Sequence, residues 1–149
     1  MKEVIKITNS KEETMELAKK MASILPCGIV ICLSGDLGAG KTTFVRGLAQ
    51  GLHISEIVQS PTFNIMKIYL KGDRPLIHID AYRLADIDSD IGLDEYIGYE
   101  TGITVIEWPQ YIEKLIPSDC LCLEITNLGG DQRQIKAFSK DESLLEFVK

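Results

Sequence analysis

Two sets of residues in this chain have the types and spacing for phosphate chemistry. The first is Gly35-Asp36-Leu37-Gly38-Ala39-Gly40-Lys41-Thr42, which satisfies the pattern G-x-x-x-x-G-K-[ST] in full and is followed by a second hydroxyl at Thr43. Glycines there let successive backbone N–H groups turn inward around a phosphate, where a Cβ would block the turn or the ligand. Lys41 supplies a mobile charge for the terminal phosphates, and Thr42 a hydroxyl for a magnesium ion bridging them. The second set is a pair of acids, Asp80 after Leu-Ile-His-Ile and Glu107 after Ile-Thr-Val-Ile. Carboxylates on strand ends beside such a loop orient the metal or polarise the attacking water.

These groups need elements to hold them. Residues 28–34 are an apolar run of strand length, as in a strand buried on both faces of a parallel sheet. Residues 42–52 follow with Phe44, Val45, Leu48 and Leu52 at helical spacing. Strand, glycine loop, helix is the required order, and it sets phosphates on a helix N-terminus. Gly51 is a terminator for that helix only if its last turn frays. With both acids on strands flanking the loop strand, each would reach the terminal phosphate. Lys41 is expected to face solvent until nucleotide arrives.

Upstream, residues 3–7 alternate as a strand. Thr8-Asn9-Ser10 caps a helix carrying Leu17, Met21, Ile24 and Leu25 on one face, with Glu12 and Glu13 in its first turn and Pro26 ending it. Downstream, 53–61 reads as a loop. Strands at 63–70 and 76–80 flank the turn cluster 71–75 and form a hairpin. Arg83 to Thr101 reads as short helices and loops, its acidic run 86–90 as a solvated loop. Strand 102–107 precedes a helix opened by Trp108-Pro109 and reaching about Ile116. A strand pair at 120–126 and 133–138 surrounds the turn 127–130, and residues 141–148 form a terminal helix capped by Asp141. The predicted whole is one α/β domain over residues 1–149: a mixed sheet, parallel near the loop, with helices on both faces and ligands at the carboxyl ends of the parallel strands.

Bulk properties narrow the partners. The chain has 149 residues, 45% apolar and 26% charged, with net charge 16 − 22 = −6. An acidic chain grips nucleic acid poorly by itself, so DNA is not expected and tRNA would be met through another protein. The N-terminus lacks a basic region followed by an apolar core, and no apolar run nears the ~20 residues a membrane span needs. The cytoplasm is the expected location. The four cysteines, at 27, 32, 120 and 122, contain no C-x-x-C; with no matching cluster, they read as reduced thiols rather than zinc ligands. His78 reads as a core histidine, and Tyr82 and Trp108 as apolar anchors with nucleotide or partner contact second. Ser60-Pro61-Thr62 occupies the interval where GTPases place a γ-phosphate-sensing threonine, although on these residues alone a plain proline turn is the slightly better reading. No Asn-Lys-x-Asp motif supports guanine recognition.

Four segments then occur in order at short spacings: Gly35 to Thr43, Ser60-Pro61-Thr62-Phe63, His78-Ile79-Asp80-Ala81-Tyr82-Arg83-Leu84, and Ile106-Glu107-Trp108-Pro109. Together they resemble the bacterial TsaE (YjeE) family of P-loop NTPases over nearly the whole chain. The resemblance implies a small, slow ATPase of tRNA threonylcarbamoyladenosine biosynthesis. It also implies two partner proteins, TsaD and TsaB, which transfer the threonylcarbamoyl group and which the ATPase resets between turnovers. By position it makes Thr42 and Glu107 the magnesium ligands, Asp80 the residue assisting hydrolysis, and Thr62 the switch threonine. The resemblance also implies Trp108 beside the nucleotide and, more weakly, Ser10 bordering the adenine and Arg133 approaching the nucleotide from the last hairpin. The implied cofactors are ATP and Mg2+.

Two rivals use the same loop. A small-molecule kinase would need an arginine-rich lid, yet the residues after Asp80 offer Arg83 and then an acidic stretch. A nucleotide sensor with negligible turnover shares every residue named.

Overall fold

A computed structural model describes residues 2–36, 38–59, 65–84 and 92–149. Within them β1 (Glu3–Thr8) leads through helix α1 (Lys11–Ile24) to β2 (Ile29–Ser34) and helix α2 (Lys41–Gly51). Then come β3 (Met66–Tyr69), β4 (Leu76–Asp80), β5 (Ile103–Glu107), β6 (Leu121–Gly129) and β7 (Gln132–Phe138). One seven-stranded sheet results, in the order β1-β7-β6-β2-β5-β4-β3. Its centre is parallel: β2 pairs with β5 and β6, and β5 with β4. Its edges are antiparallel, β3 with β4 and the β6–β7 hairpin with β1. The mixed sheet and the hairpin at 71–75 agree with the sequence-based expectation.

Alternation along the central strands divides the core in two. Ile29, Ile31 and Leu33 of β2, Ile103 and Val105 of β5, and Leu121, Leu123 and Ile125 of β6 face α1 and α2. Val30 and Ile106 face the other way, with Ile77 and Ile79 of β4. Helices on both faces are therefore a correction to make. Both α-helices lie on one face; short 3-10 turns at Tyr82–Leu84, Leu93–Glu95 and Pro109–Leu115 accompany the opposite core. The segment after Pro109 does not hold an α-helix: Trp108 enters at φ 57°, and Ile112 (φ −136°, ψ 34°) kinks it into two 3-10 pieces. The C-terminal segment, Glu142–Phe147, is likewise 3-10, with Asp141 accepting from Ser143 N–H at 3.2 Å as its cap. β6 also runs on past Thr126 to Gly129 through an irregularity between Asn127 and Gly129. Among the described residues β3 begins at Met66, after Ile65 at φ 65°; Phe63 and Asn64, where the expected strand opens, lie outside them.

Helix α2 is seated by glycine. A Cβ on Gly47 would stand 2.6 Å from the Met15 carbonyl and 2.7 Å from the Ala18 Cβ, and Gly51 meets Lys19 and Ala22 in the same way. Gly51 is thus a helical packing residue, and Leu52 rather than Gly51 caps the helix. Intrinsic propensity favours alanine over glycine in a helix by ~1 kcal/mol. Here Gly47→Ala is expected to destabilise the fold instead, by about 1–3 kcal/mol, because α1 and α2 must part to admit the methyl. Urea unfolding measures this, and a gain in stability would show that the helices separate freely.

Candidate functional site

The carboxyl ends of β2, β5 and β4 open into a cleft of about 810 Å3. The glycine loop forms its floor. Gly40, the residue before α2, stands at φ 106°, a left-handed conformation costly for any residue with a Cβ. From there the first N–H groups of α2 begin beside Lys41, Thr42 and Thr43, all of which line the cleft with Asp36 and Gly38. An α-helix N-terminus of this kind attracts anions through its free N–H groups and its dipole. Gly35 and Ala39 support the loop from behind, Ala39 donating its N–H to the Asp36 carbonyl at 2.9 Å. Leu37 and Thr62, with Ser60, Pro61 and the acidic run 86–90, lie outside the described residues.

The two acids converge on the cleft by strand register. Leu33 of β2 pairs with Glu107 of β5, and Glu107 with Asp80 of β4. Of the two acid-bearing strands β5 adjoins β2 and β4 does not, so Glu107 stands one strand from the loop strand and Asp80 two. Both are buried, at 4% and 5% exposure, and both line the cleft. Asp80 Oδ1 accepts from the Tyr82 N–H at 3.0 Å.

Among the described residues the Glu107 carboxylate has two side-chain partners. Lys41 Nζ lies 3.7 Å from Oε1, and His78 Nε2 hydrogen-bonds Oε2 at 2.6 Å. His78 sits two residues before Asp80 on β4, opposite Val105, which makes it the diagonal neighbour of Glu107 on the same sheet face. Its Nδ1 is buried without a hydrogen-bond partner among the described residues. The histidine is a core residue, as its surroundings in sequence suggest, but it also holds the Glu107 carboxylate. The signal for that was a histidine in an apolar strand, two places before an acid.

Lys41 does not face solvent as expected. Its side chain is 11% exposed, held between Glu107 and the Trp108 ring, whose centroid is 4.8 Å from Nζ. A lysine beside a buried carboxylate and an aromatic face takes both rather than remaining hydrated. Trp108 in turn stacks with Tyr111 (6.2 Å) and meets Tyr82 (5.1 Å), so two aromatic rings, Tyr82 and Trp108, line one side of the cleft with Tyr111 against Trp108.

On the other side Arg133 braces the loop. Its Nε donates to the Ala39 carbonyl at 2.9 Å and Nη2 to the Gly38 carbonyl at 3.3 Å. Nη1 is engaged by Asn127, Gly130 and Gln132 within its own hairpin. Ser10 caps α1, accepting from Glu13 N–H at 3.1 Å, and it is Lys11 and Thr14 from the same first turn that line the cleft. Sequence reasoning passed over these two, and Asp131 and Tyr111, because nothing in their local pattern marks them.

Fold and cleft together define a small α/β protein built around a glycine loop at a helix N-terminus, with two strand-end carboxylates facing it. The family model described as threonylcarbamoyl adenosine biosynthesis protein TsaE matches residues 8–135, and the chain belongs to the TsaE family. It is 46% identical over 135 residues to the tRNA threonylcarbamoyladenosine biosynthesis protein TsaE of Bacillus subtilis, covering 91% of this chain and 85% of the relative. The protein of the same name from Aquifex aeolicus is 42% identical over 142 residues, covering 94% and 98%. Among solved structures, that of YdiB from Bacillus subtilis superposes with a TM-score of 0.83 at 39% identity, over 99% of this chain and 94% of that one. No helix among the described residues is long and apolar enough to cross a membrane.

Proposed function

We propose that this chain is a P-loop ATPase that binds ATP with Mg2+, hydrolyses it slowly, and serves the machinery that makes threonylcarbamoyladenosine in tRNA. In this reading it resets the TsaD–TsaB transferase between turnovers. The observation that supports it most is the convergence of Lys41, at the mouth of α2, with Glu107 and Asp80 in one cleft. The family relationship adds the pathway, through the names its relatives carry.

Each residue then has a task. The α2 N-terminus and Lys41 hold the terminal phosphates. The ammonium that now neutralises Glu107 is the one those phosphates would draw away, which leaves the carboxylate for a metal. Thr42 and Glu107 are hard oxygen donors at the same cleft, a set that suits magnesium and would hold it there. Bound magnesium would neutralise charge on the phosphate oxygens. His78 keeps the Glu107 carboxylate oriented. Asp80 would orient the attacking water, and Trp108 would cover the nucleotide. Arg133 acts on the loop that cradles the phosphates and Ser10 on the start of α1. Thr62 keeps its switch role on sequence grounds.

Slow turnover follows from the arginines. An arginine reaching the transferring phosphoryl group is worth ~10³–10⁵ in rate. Arg46 donates to the Val58 carbonyl, Arg74 to those of Leu25 and Ala22, and Arg133 to the loop carbonyls. Arg83 is exposed and, unlike Tyr82 before it, is not among the residues lining the cleft. A partner closing over Asp80, Glu107 and Tyr82 would complete the site. ATP turnover by the isolated chain is therefore expected to be slow and to rise by ~10³-fold or more when TsaD, TsaB and tRNA are added. Many turnovers per second by the chain alone, or no response to the partners, would refute the reading. So would tight tRNA binding by the isolated chain at physiological salt, given its net charge of −6.

A further inference from the structure

The cysteines carry no metal-site spacing in sequence, yet the fold gathers three of them. Cys32 on β2 is the register partner of Cys122 on β6, and Cys120 lies two residues earlier, just before β6 begins, on the same side of the sheet. Their Sγ atoms stand 3.5 Å apart (Cys32 and Cys120) and 3.7 Å apart (Cys120 and Cys122), and all three lie within 4.8 Å of one another. All are free thiols. The cluster lies on the sheet face away from α1 and α2, at the base of a groove of about 360 Å3 bordered by Glu113 and Ile116. It is separate from the cleft of Lys41 and Glu107.

We propose that Cys32, Cys120 and Cys122 form a second, three-thiolate site for a thiophilic cation such as zinc(II) or copper(I). The spacing fits. Thiolates ~2.3 Å from a tetrahedral zinc ion are ~3.8 Å from one another; the Cys32–Cys120 and Cys120–Cys122 separations of 3.5 and 3.7 Å are close to that, and the third pair, within 4.8 Å, has at most about 1 Å to close. The chemistry fits as well, since soft sulfur donors select zinc and copper(I) and reject the hard magnesium that the carboxylate cleft would take. Cys32 is 4% exposed at the base, whereas Cys120 and Cys122 are half-buried, so the cation enters from the groove and its fourth position opens there to water. Cys27, exposed at the other end of β2, takes no part.

The test uses the reduced, metal-free full chain without nucleotide and with magnesium in excess. Titration with cadmium(II) should develop a thiolate-to-metal charge-transfer band that saturates at about one equivalent. Cys120→Ser and Cys122→Ser should each lose most of that band and weaken zinc(II) binding, measured against a chromophoric chelator, by on the order of 10²-fold or more. Cys27→Ser should behave as the parent. Copper(I) titrated against a copper(I) chelator decides between the two metals. Should a serine variant fail to fold, alkylation of the parent chain gives the answer: zinc(II) should slow labelling at Cys120 and Cys122 and leave Cys27 unchanged. No band, a band that survives both serine variants, one lost with Cys27→Ser, or a Cys32–Cys120 disulfide forming in its place would each overturn the site.

Discussion

Lys41→Ala is expected to weaken ATP binding by at least about 10²-fold, the loss of a charge-assisted phosphate contact and its backing at the loop. The chain has one tryptophan, and its ring lies 4.8 Å from Lys41 Nζ at the wall of the cleft. Trp108 fluorescence is thus a built-in reporter for an ATP titration. The substitution has a second consequence that a solvent-facing lysine would not have. Lys41 neutralises Glu107, a residue only 4% exposed, and its removal leaves that carboxylate with His78 alone among the partners described above. Losing one member of a buried pair costs stability, so the alanine variant should unfold at lower urea than the parent. Lys41→Met separates the two effects. It removes the charge but keeps an apolar stem against Trp108, and should bind as poorly while recovering part of the packing. Both variants must still unfold cooperatively. Parental ATP affinity in either one would remove the loop from the mechanism.

The second large effect concerns the two acids, which the sheet register sets side by side but at different distances from the loop. Asp80→Ala should lower turnover in the presence of the partners by about 10²–10³-fold and change ATP affinity little, as expected of a group acting on the attacking water. Glu107→Ala should raise the magnesium concentration needed for binding by ~10–100-fold, as expected for a metal ligand. Glu107→Gln is the gentler companion, because the amide can still accept from His78, whose ring is fully buried. Magnesium titrations at fixed ATP, run on all three variants, separate affinity from turnover. Exchanged phenotypes would mean that Asp80 is the ligand and Glu107 the reacting-step residue.

Much of the lining of the cleft was legible in the sequence because it is local. The glycine loop, Lys41 and Thr42 form one contiguous run, and the order strand, loop, helix around them follows from apolar period alone. Asp80 and Glu107 declared themselves as acids closing apolar strands, and the hairpin at residues 71–75 by its turn cluster. What sequence could not decide was anything resting on strand order or on the direction a side chain takes between two neighbours. That β5 and not β4 lies beside β2 sets Glu107 nearer the loop than Asp80. The diagonal placement of His78 against Glu107, and the burial of Lys41 under Trp108, follow from that order. Both α-helices share one face because Gly47 and Gly51 let them pack closely, whereas the segment following β5 is broken at Trp108 and Ile112 into 3-10 turns. The three sulfurs meet for the same reason: Cys32 and Cys120, 88 residues apart in the chain, become neighbours only when β2 and β6 pair in parallel. Local pattern encodes periods and turns; contacts across a sheet are chosen by the packing of the whole, and no local window contains them.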